Sequence, residues 1–105
     1  MGLGLPGMGR FSEPALLLLI SLAEGEKHGY AMMEDIKATY GVELGPGTLY
    51  GGLARLEQGG LIEPLPSDDR RRPYRLTDAG AKALHNHLLN LQHVATTGLQ
   101  RLTTP

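Results

Sequence analysis

Residues 45–62 read GPGTLYGGLARLEQGGLI. This stretch, from Gly45 to Ile62, starts and stops like a short helix. Pro46 and Gly47 interrupt whatever precedes it, and Pro46 suits a first-turn position, where its missing N–H is no loss. The Thr48 hydroxyl can accept from an early backbone N–H. Leu49, Leu53 and Leu56 recur at i, i+4 and i+7 and make one apolar face. Gly59-Gly60 offers the positive φ that helix C-termini favour. Thr48, Tyr50, Gly51, Gly52 and Arg55 fall to the opposite face, which thus carries hydrogen-bonding groups, one cation and little bulk. A surface of that kind can lie in a DNA groove.

Downstream, Leu61 to Leu65 reads as a strand, with Pro64 marking an edge. Pro66 to Pro73 forms a hairpin tip holding Asp68, Asp69, Arg70, Arg71 and Arg72. Tyr74-Arg75-Leu76 returns as the second strand, with Tyr74 and Leu76 on one face. A run of arginines is most often a solvated surface. On a hairpin beside such a helix, phosphate or minor-groove contact is the better reading. Asp68 and Asp69 are expected to pair with the arginines when no DNA is bound.

Upstream, Ser12 reads as the N-cap of a first helix, with Glu13 and Pro14 in its first turn. Ala15 to Ala23 is apolar on nearly every side. A helix hydrophobic all round is buried all round, and in so small a domain that suggests a second subunit. Glu24 to Lys27 makes a turn. A second helix runs from His28 to about Tyr40, with Ala31, Met32, Ile36 and Tyr40 inward and Glu34, Asp35 and Lys37 in water. Gly41 to Gly45 is a turn or a short strand. Residues 1–11, rich in glycine, read as a flexible arm: either a tail without a role or a segment packing Leu3, Leu5 or Phe11 on a partner subunit.

Thr77 caps the last helix, with Asp78 favourable in its first turn. Leu84, Leu88, Leu91, Ala95, Gly98 and Leu102 follow at spacings of 4, 3, 4, 3 and 4, a heptad-like seam that Leu89 and Leu99 widen. It is longer than a small core needs. The predicted dimer interface is therefore Leu17, Ile20, Leu84, Leu88, Leu91, Ala95, Leu99 and Leu102; a helix folded back on its own domain is the competing reading.

Several of these segments stand in a fixed order: His28-Gly29-Tyr30, then Pro-Gly-Thr-Leu-Tyr, Leu-x-Arg-Leu-Glu-x-x-Gly-Leu-Ile, a basic loop and Tyr-x-Leu-Thr-x-x-Gly. In this, roughly residues 13–84 resemble the PadR family of bacterial transcriptional regulators. The resemblance implies a mainly α fold with a small β-hairpin wing: a winged helix-turn-helix over residues 12–77 and a C-terminal dimerisation helix over 78–102. It implies DNA contacts from His28, Tyr30, Gly47, Thr48, Tyr50, Arg55, Arg70, Arg71 and Arg72. His28 and Tyr30 would meet the backbone, although an ordinary solvated position for His28 and a core position for Tyr30 remain open. The family often has proline and a small residue after Leu-Tyr, where this chain has Gly51-Gly52. Each helical glycine costs about 0.5–1 kcal/mol relative to alanine. The pair allows close backbone approach but leaves Thr48 and Tyr50 to do most of the reading, with the rest left to DNA shape.

The totals restrict what else the chain could be. At 105 residues and a net charge of −1, it is one small domain and is not basic overall. Its cations are unevenly placed: residues 55–105 carry seven against five acids, and residues 1–54 carry three against six. With no cysteine, a disulfide scaffold and a thiolate metal site are excluded. His85, His87 and His93 make a poor metal set, since positions i and i+2 of a helix point to nearly opposite sides. No nucleotide-binding glycine loop follows a strand, and no nucleophile, base and orienting group stand together. No enzyme, cofactor, metal or membrane association is expected, and a cytoplasmic location follows by default. The expected function is sequence-specific binding of double-stranded DNA by a homodimer at an inverted repeat, as a repressor. A small apolar effector could release it, from a pocket of Leu, Ile and Ala between the first and last helices. The alternative is a winged-helix protein-interaction module with no DNA role.

Overall fold

The computed structural model describes residues 13–68 and 70–104, in the order α1 (Glu13–Ala23), β1 (Lys27–His28), α2 (Gly29–Tyr40), α3 (Pro46–Gln58), β2 (Ile62–Pro64), β3 (Pro73–Leu76) and α4 (Asp78–Thr103). Residues 1–11, Ser12 and Asp69 lie outside the described residues, and with them the arm, the first cap and one proposed partner of the arginines. The three strands form one antiparallel sheet in the order β1-β3-β2. Ile62 faces Leu76, and Lys27 faces Tyr74. The hairpin matches the expected wing, and β2 is an edge strand, which accommodates Pro64. Strand β1 was not expected, because two residues give no alternation to read. Of the two readings of 41–45, a turn or a short strand, no strand forms, and Leu44 is buried in the core.

Helix α3 stops as its sequence requires. The Gly60 N–H donates to Glu57 O and the Leu61 N–H to Leu56 O, both at 3.0 Å, with Gly60 at φ +75°. This is the left-handed termination that favours glycine. The start differs from expectation. Gly45 is the N-cap, without a side chain to give, and Pro46 follows at N1, so the Thr48 hydroxyl does not cap. Thr77 does cap α4, its hydroxyl accepting from Gly80 N at 3.0 Å.

The core joins Leu17, Leu18 and Leu22 of α1 to Met32, Ile36, Leu49, Leu53, Ile62 and Leu84. Helix α1 contacts α2, α3, β3 and α4. One chain therefore covers most of it, with Leu17, Leu18, Leu19 and Leu22 buried and Ala15, Leu16 and Ile20 partly so. Leu17 is 2% exposed and Leu84 5%, so both belong to the chain's own core, although the sequence pattern assigned them to an interface. Ser21, 3% exposed, keeps its hydroxyl satisfied by donating to Asp35 Oδ2 at 2.6 Å. Lys27 Nζ donates to the Ser21 carbonyl and pairs with Glu24 at 2.8 Å, closing the α1–β1 turn.

Gly52 faces the opposite way from its expected place on the outer face. It is buried, and a Cβ there would stand 3.0 Å from Leu18 Cδ1. It belongs to the Leu49–Leu53–Leu56 face and brings α3 close to α1; it is not part of the outer face. Gly80 is more constrained still, since a Cβ there would lie 1.9 Å from the Leu61 carbonyl oxygen. The root of α4 thus rests directly on the chain entering β2. Beyond Leu84 the helix leaves the body. Its 26 residues span about 39 Å, and the molecule measures 60 × 28 × 21 Å. Leu88, Leu89, Leu91, Val94, Leu99 and Leu102 are exposed along it. Among the described residues no helix is long and apolar enough to cross a membrane.

Candidate nucleic-acid interface

With Leu49, Gly52, Leu53 and Leu56 turned inward, the outer face of α3 carries Gly47, Thr48, Gly51, Ala54 and Arg55, with Glu57 and Gln58 exposed in its last turn. Thr48, Gly51 and Arg55 fall at i, i+3 and i+7, on one stripe. Thr48, Ala54 and Arg55 are exposed, and a Cβ at Gly47 or Gly51 would meet nothing within 4 Å. The stripe is shallow enough for a backbone or base edge to approach closely.

Tyr50 leaves that stripe. Its residue is 56% exposed, but the ring lies against the first residue of α2. A side chain on Gly29 would meet the ring at 3.3 Å and the hydroxyl at 3.4 Å. Gly29 is buried for this reason, and substitution there would push Tyr50 away. His28 caps the same helix, its Nδ1 accepting from Ala31 N at 3.3 Å. His28 thus has a structural duty at the helix start, in addition to the backbone contact that the resemblance implies. Tyr30 is 52% exposed, so the core reading for it does not hold. On its helix, Met32 and Ile36 fill the inward side.

The wing completes the site. His28, Gly29, Tyr30, Tyr50, Arg70, Arg71, Arg72 and Tyr74 line one cleft of about 280 Å³ between α2, α3 and the hairpin. Arg71 Cζ stands 5.8 Å from the centroid of the Tyr30 ring. Arg75 is taken by Glu63, its Nε 3.1 Å from Oε2 across the hairpin. Among the described residues no carboxylate pairs with Arg70, Arg71 or Arg72, so Asp68 does not play the part expected of it. Burial, and then the Glu57 carboxylate, push the Tyr74 phenol above its ordinary 10.0, with Arg72 opposing. Tyr74 therefore stays protonated and able to donate at neutral pH.

Six of the nine expected contact residues thus meet in one cleft: His28, Tyr30, Tyr50, Arg70, Arg71 and Arg72. Gly47, Thr48 and Arg55 lie apart, on the open face of α3. Gly29 and Tyr74 belong to the cleft and were not singled out. Both sit inside the quoted motifs, but their role depends on a packing between distant segments that spacing does not reveal. Among the described residues no group of three or more His, Asp or Glu side chains could hold a metal.

Residues 17–86 match the model of the transcriptional regulator PadR-like family. The chain belongs to that family. Its members are transcription regulators, not enzymes. A 37.1 kDa protein in transposon TN4556 of Streptomyces fradiae is 47% identical over 75 residues, 71% of this chain but 22% of that protein. Transcriptional regulator Rv3488 of Mycobacterium tuberculosis is 39% identical over 83 residues, 76% of this chain and 77% of its own length. Transcriptional activator GvpE2 of Halobacterium salinarum is 30% identical over 102 residues, 97% of this chain and 48% of that protein. The chain therefore spans less than half the length of two of these relatives. A PadR family transcription regulator from Clostridium difficile R20291 shares the fold, with a TM-score of 0.77 at 23% identity, over 85% of this chain and 97% of that one.

Proposed function

We propose that this PadR-like regulator binds double-stranded DNA as a homodimer, each subunit setting the open face of α3 in a major groove and the wing on the flanking backbone. The observation that carries this reading is the pairing of a shallow, polar α3 stripe with a cleft edged by three arginines that have no carboxylate partner among the described residues. In this reading Thr48 meets base edges, and Arg55, nearly two turns further along, meets a phosphate. The cleft residues meet phosphate, which fixes orientation without reading sequence. Two copies related by a two-fold axis would address an inverted repeat with half-sites about one helical turn apart. The exposed stripe of α4 from Leu88 to Leu102, together with half-buried Ile20 of α1, is the surface we assign to the second copy. We accordingly divide the chain into a DNA-binding body to residue 77 and a dimerisation helix from 78, and place it in the cytoplasm, with DNA.

The sign we propose is repression by occlusion of promoter DNA, as the family resemblance implies. The relative named an activator, GvpE2, makes a reporter assay the deciding measurement: transcription should fall when the protein is present, and a rise would reverse the sign. An open apolar groove of about 300 Å³ between α1 and α4, lined by Ala15, Leu16, Leu19, Leu56, Leu61, Ala83, Leu84 and His87, is where we place a small apolar effector. A thermal-shift screen of apolar compounds that finds none stabilising would remove the effector and leave DNA binding untouched.

Selection of bound duplexes from a random pool, at roughly physiological salt, tests the central claim. An inverted repeat should be enriched by the wild type. Arg71→Ala should weaken binding to all sequences alike, whereas Thr48→Ala should relax preference for the enriched site. Absence of binding by folded protein would favour a winged-helix interaction module instead.

A further inference from the structure

The wing cleft contains an arrangement that basic character alone does not require. Arg71 lies over an exposed tyrosine on another element, and it has no acid partner among the described residues. A carboxylate would occupy the N–H edge of a guanidinium. A ring attracts the cation through its π face and leaves those in-plane donors free for a bidentate anion. Tyr30 is suited to that use. It stands 52% exposed at the start of α2, on the side that lines the cleft. The floor beneath is firm, because Tyr50 rests on Gly29 and Tyr74 sits in the central strand.

We propose that this cleft seats a single phosphate of the duplex backbone, and that Tyr30 acts there as a positioning residue, holding Arg71 of the wing ready over α2. The proposal rests on the DNA-binding reading and sharpens it. Tyr30 contributes through Arg71 and not through its own hydroxyl. The ring restricts a long side chain before DNA arrives, so less freedom is lost on binding. Tyr50 belongs to the same phosphate seat and not to base reading, which reverses the expectation drawn from its place on the helix.

The test is a double-mutant cycle on a fixed duplex of about 30 base pairs, titrated at several salt concentrations. Arg71→Ala should weaken binding and lower the slope of log K against log salt by about 0.9, the value for one phosphate contact. Tyr30→Leu should weaken binding by about two- to five-fold, the range of an exposed cation–π contact. That loss should vanish in the Arg71→Ala background, and Tyr30→Phe, which keeps the ring, should bind like the wild type. Circular dichroism and the urea midpoint of each variant should match the wild type, since both side chains are exposed. Additive losses, or a Tyr30→Phe variant as weak as Tyr30→Leu, would overturn the positioning role in a protein that still binds DNA. A folded wild type that binds no duplex would overturn the DNA reading itself, a distinguishable result.

Discussion

Among the residues of this chain, the glycines differ most from one another. Gly51 faces open space on a helix, so Gly51→Ala should raise stability by about 0.5–1 kcal/mol through helix propensity alone. Gly80→Ala must displace either α4 or the Leu61 carbonyl, a backbone atom that cannot rotate aside. Overpacking of this kind typically costs about 1–3 kcal/mol, and we expect a loss at the upper end. Urea unfolding of the two variants measures both, and a Gly80→Ala protein as stable as the wild type would contradict the contact. Gly52 lies between them, meeting only the tip of Leu18. Sequence separates none of the three. The glycine pair after Tyr50 reads as one feature, yet a rotation of 100° per residue along a helix sends Gly52 into the core and leaves Gly51 outside. Tyr30 and Tyr50 show the same limit: residue type cannot tell an exposed ring from a buried one.

Among the elements, the helices and the hairpin were legible because each repeats a period or carries an end signal. The leucine spacing of α3, the Thr77 cap and the arginine-tipped hairpin all stand where expected. Strand β1 was not legible, being held by its pairing to β3 and not by a pattern of its own. The junction of α1, β1 and α2 likewise depends on contacts from afar. The Ser21 hydroxyl is the main cause holding the Asp35 carboxyl below its ordinary 3.8; partial burial opposes it, and Thr39 and the Lys27 ammonium assist. A depressed carboxylate pKa adds stability that is present above the unfolded value and is lost as pH falls through the folded one. Acid should therefore weaken this junction only below about pH 4. Asp35→Ala should be less stable than the wild type at pH 6, with the gap narrowing by pH 3. Urea midpoints at the two values would show this, and a gap unchanged by pH would remove the carboxylate from the account.

On the scale of the whole molecule, α4 is the element to which we assign the assembly. Its seam is periodic in the sequence, but which leucines are free for a partner depends on the body's own packing, and that reserved Leu17 and Leu84 for the core. Leu99 and Leu102 remain 65% and 84% exposed. Leu91→Glu should leave the folded body intact while converting a dimer to monomer by light scattering, with affinity for an inverted repeat falling steeply as the second half-site is lost. A Leu91→Glu protein still dimeric would move the interface elsewhere.

The root of α4 has a mechanical consequence. The Thr77 hydroxyl donates to Gly60 O at 2.6 Å, the Thr77 N–H donates to Leu61 O at 3.1 Å, and Gly80 rests on that same carbonyl. The first turn of the helix is thereby riveted to the base of the wing. The far end of the helix is a long lever arm, and the rivet is its fulcrum. If two such levers cross in a dimer, the angle at which they cross fixes the distance between the wings. A ligand wedged near the fulcrum would change that distance without touching a single DNA-facing side chain.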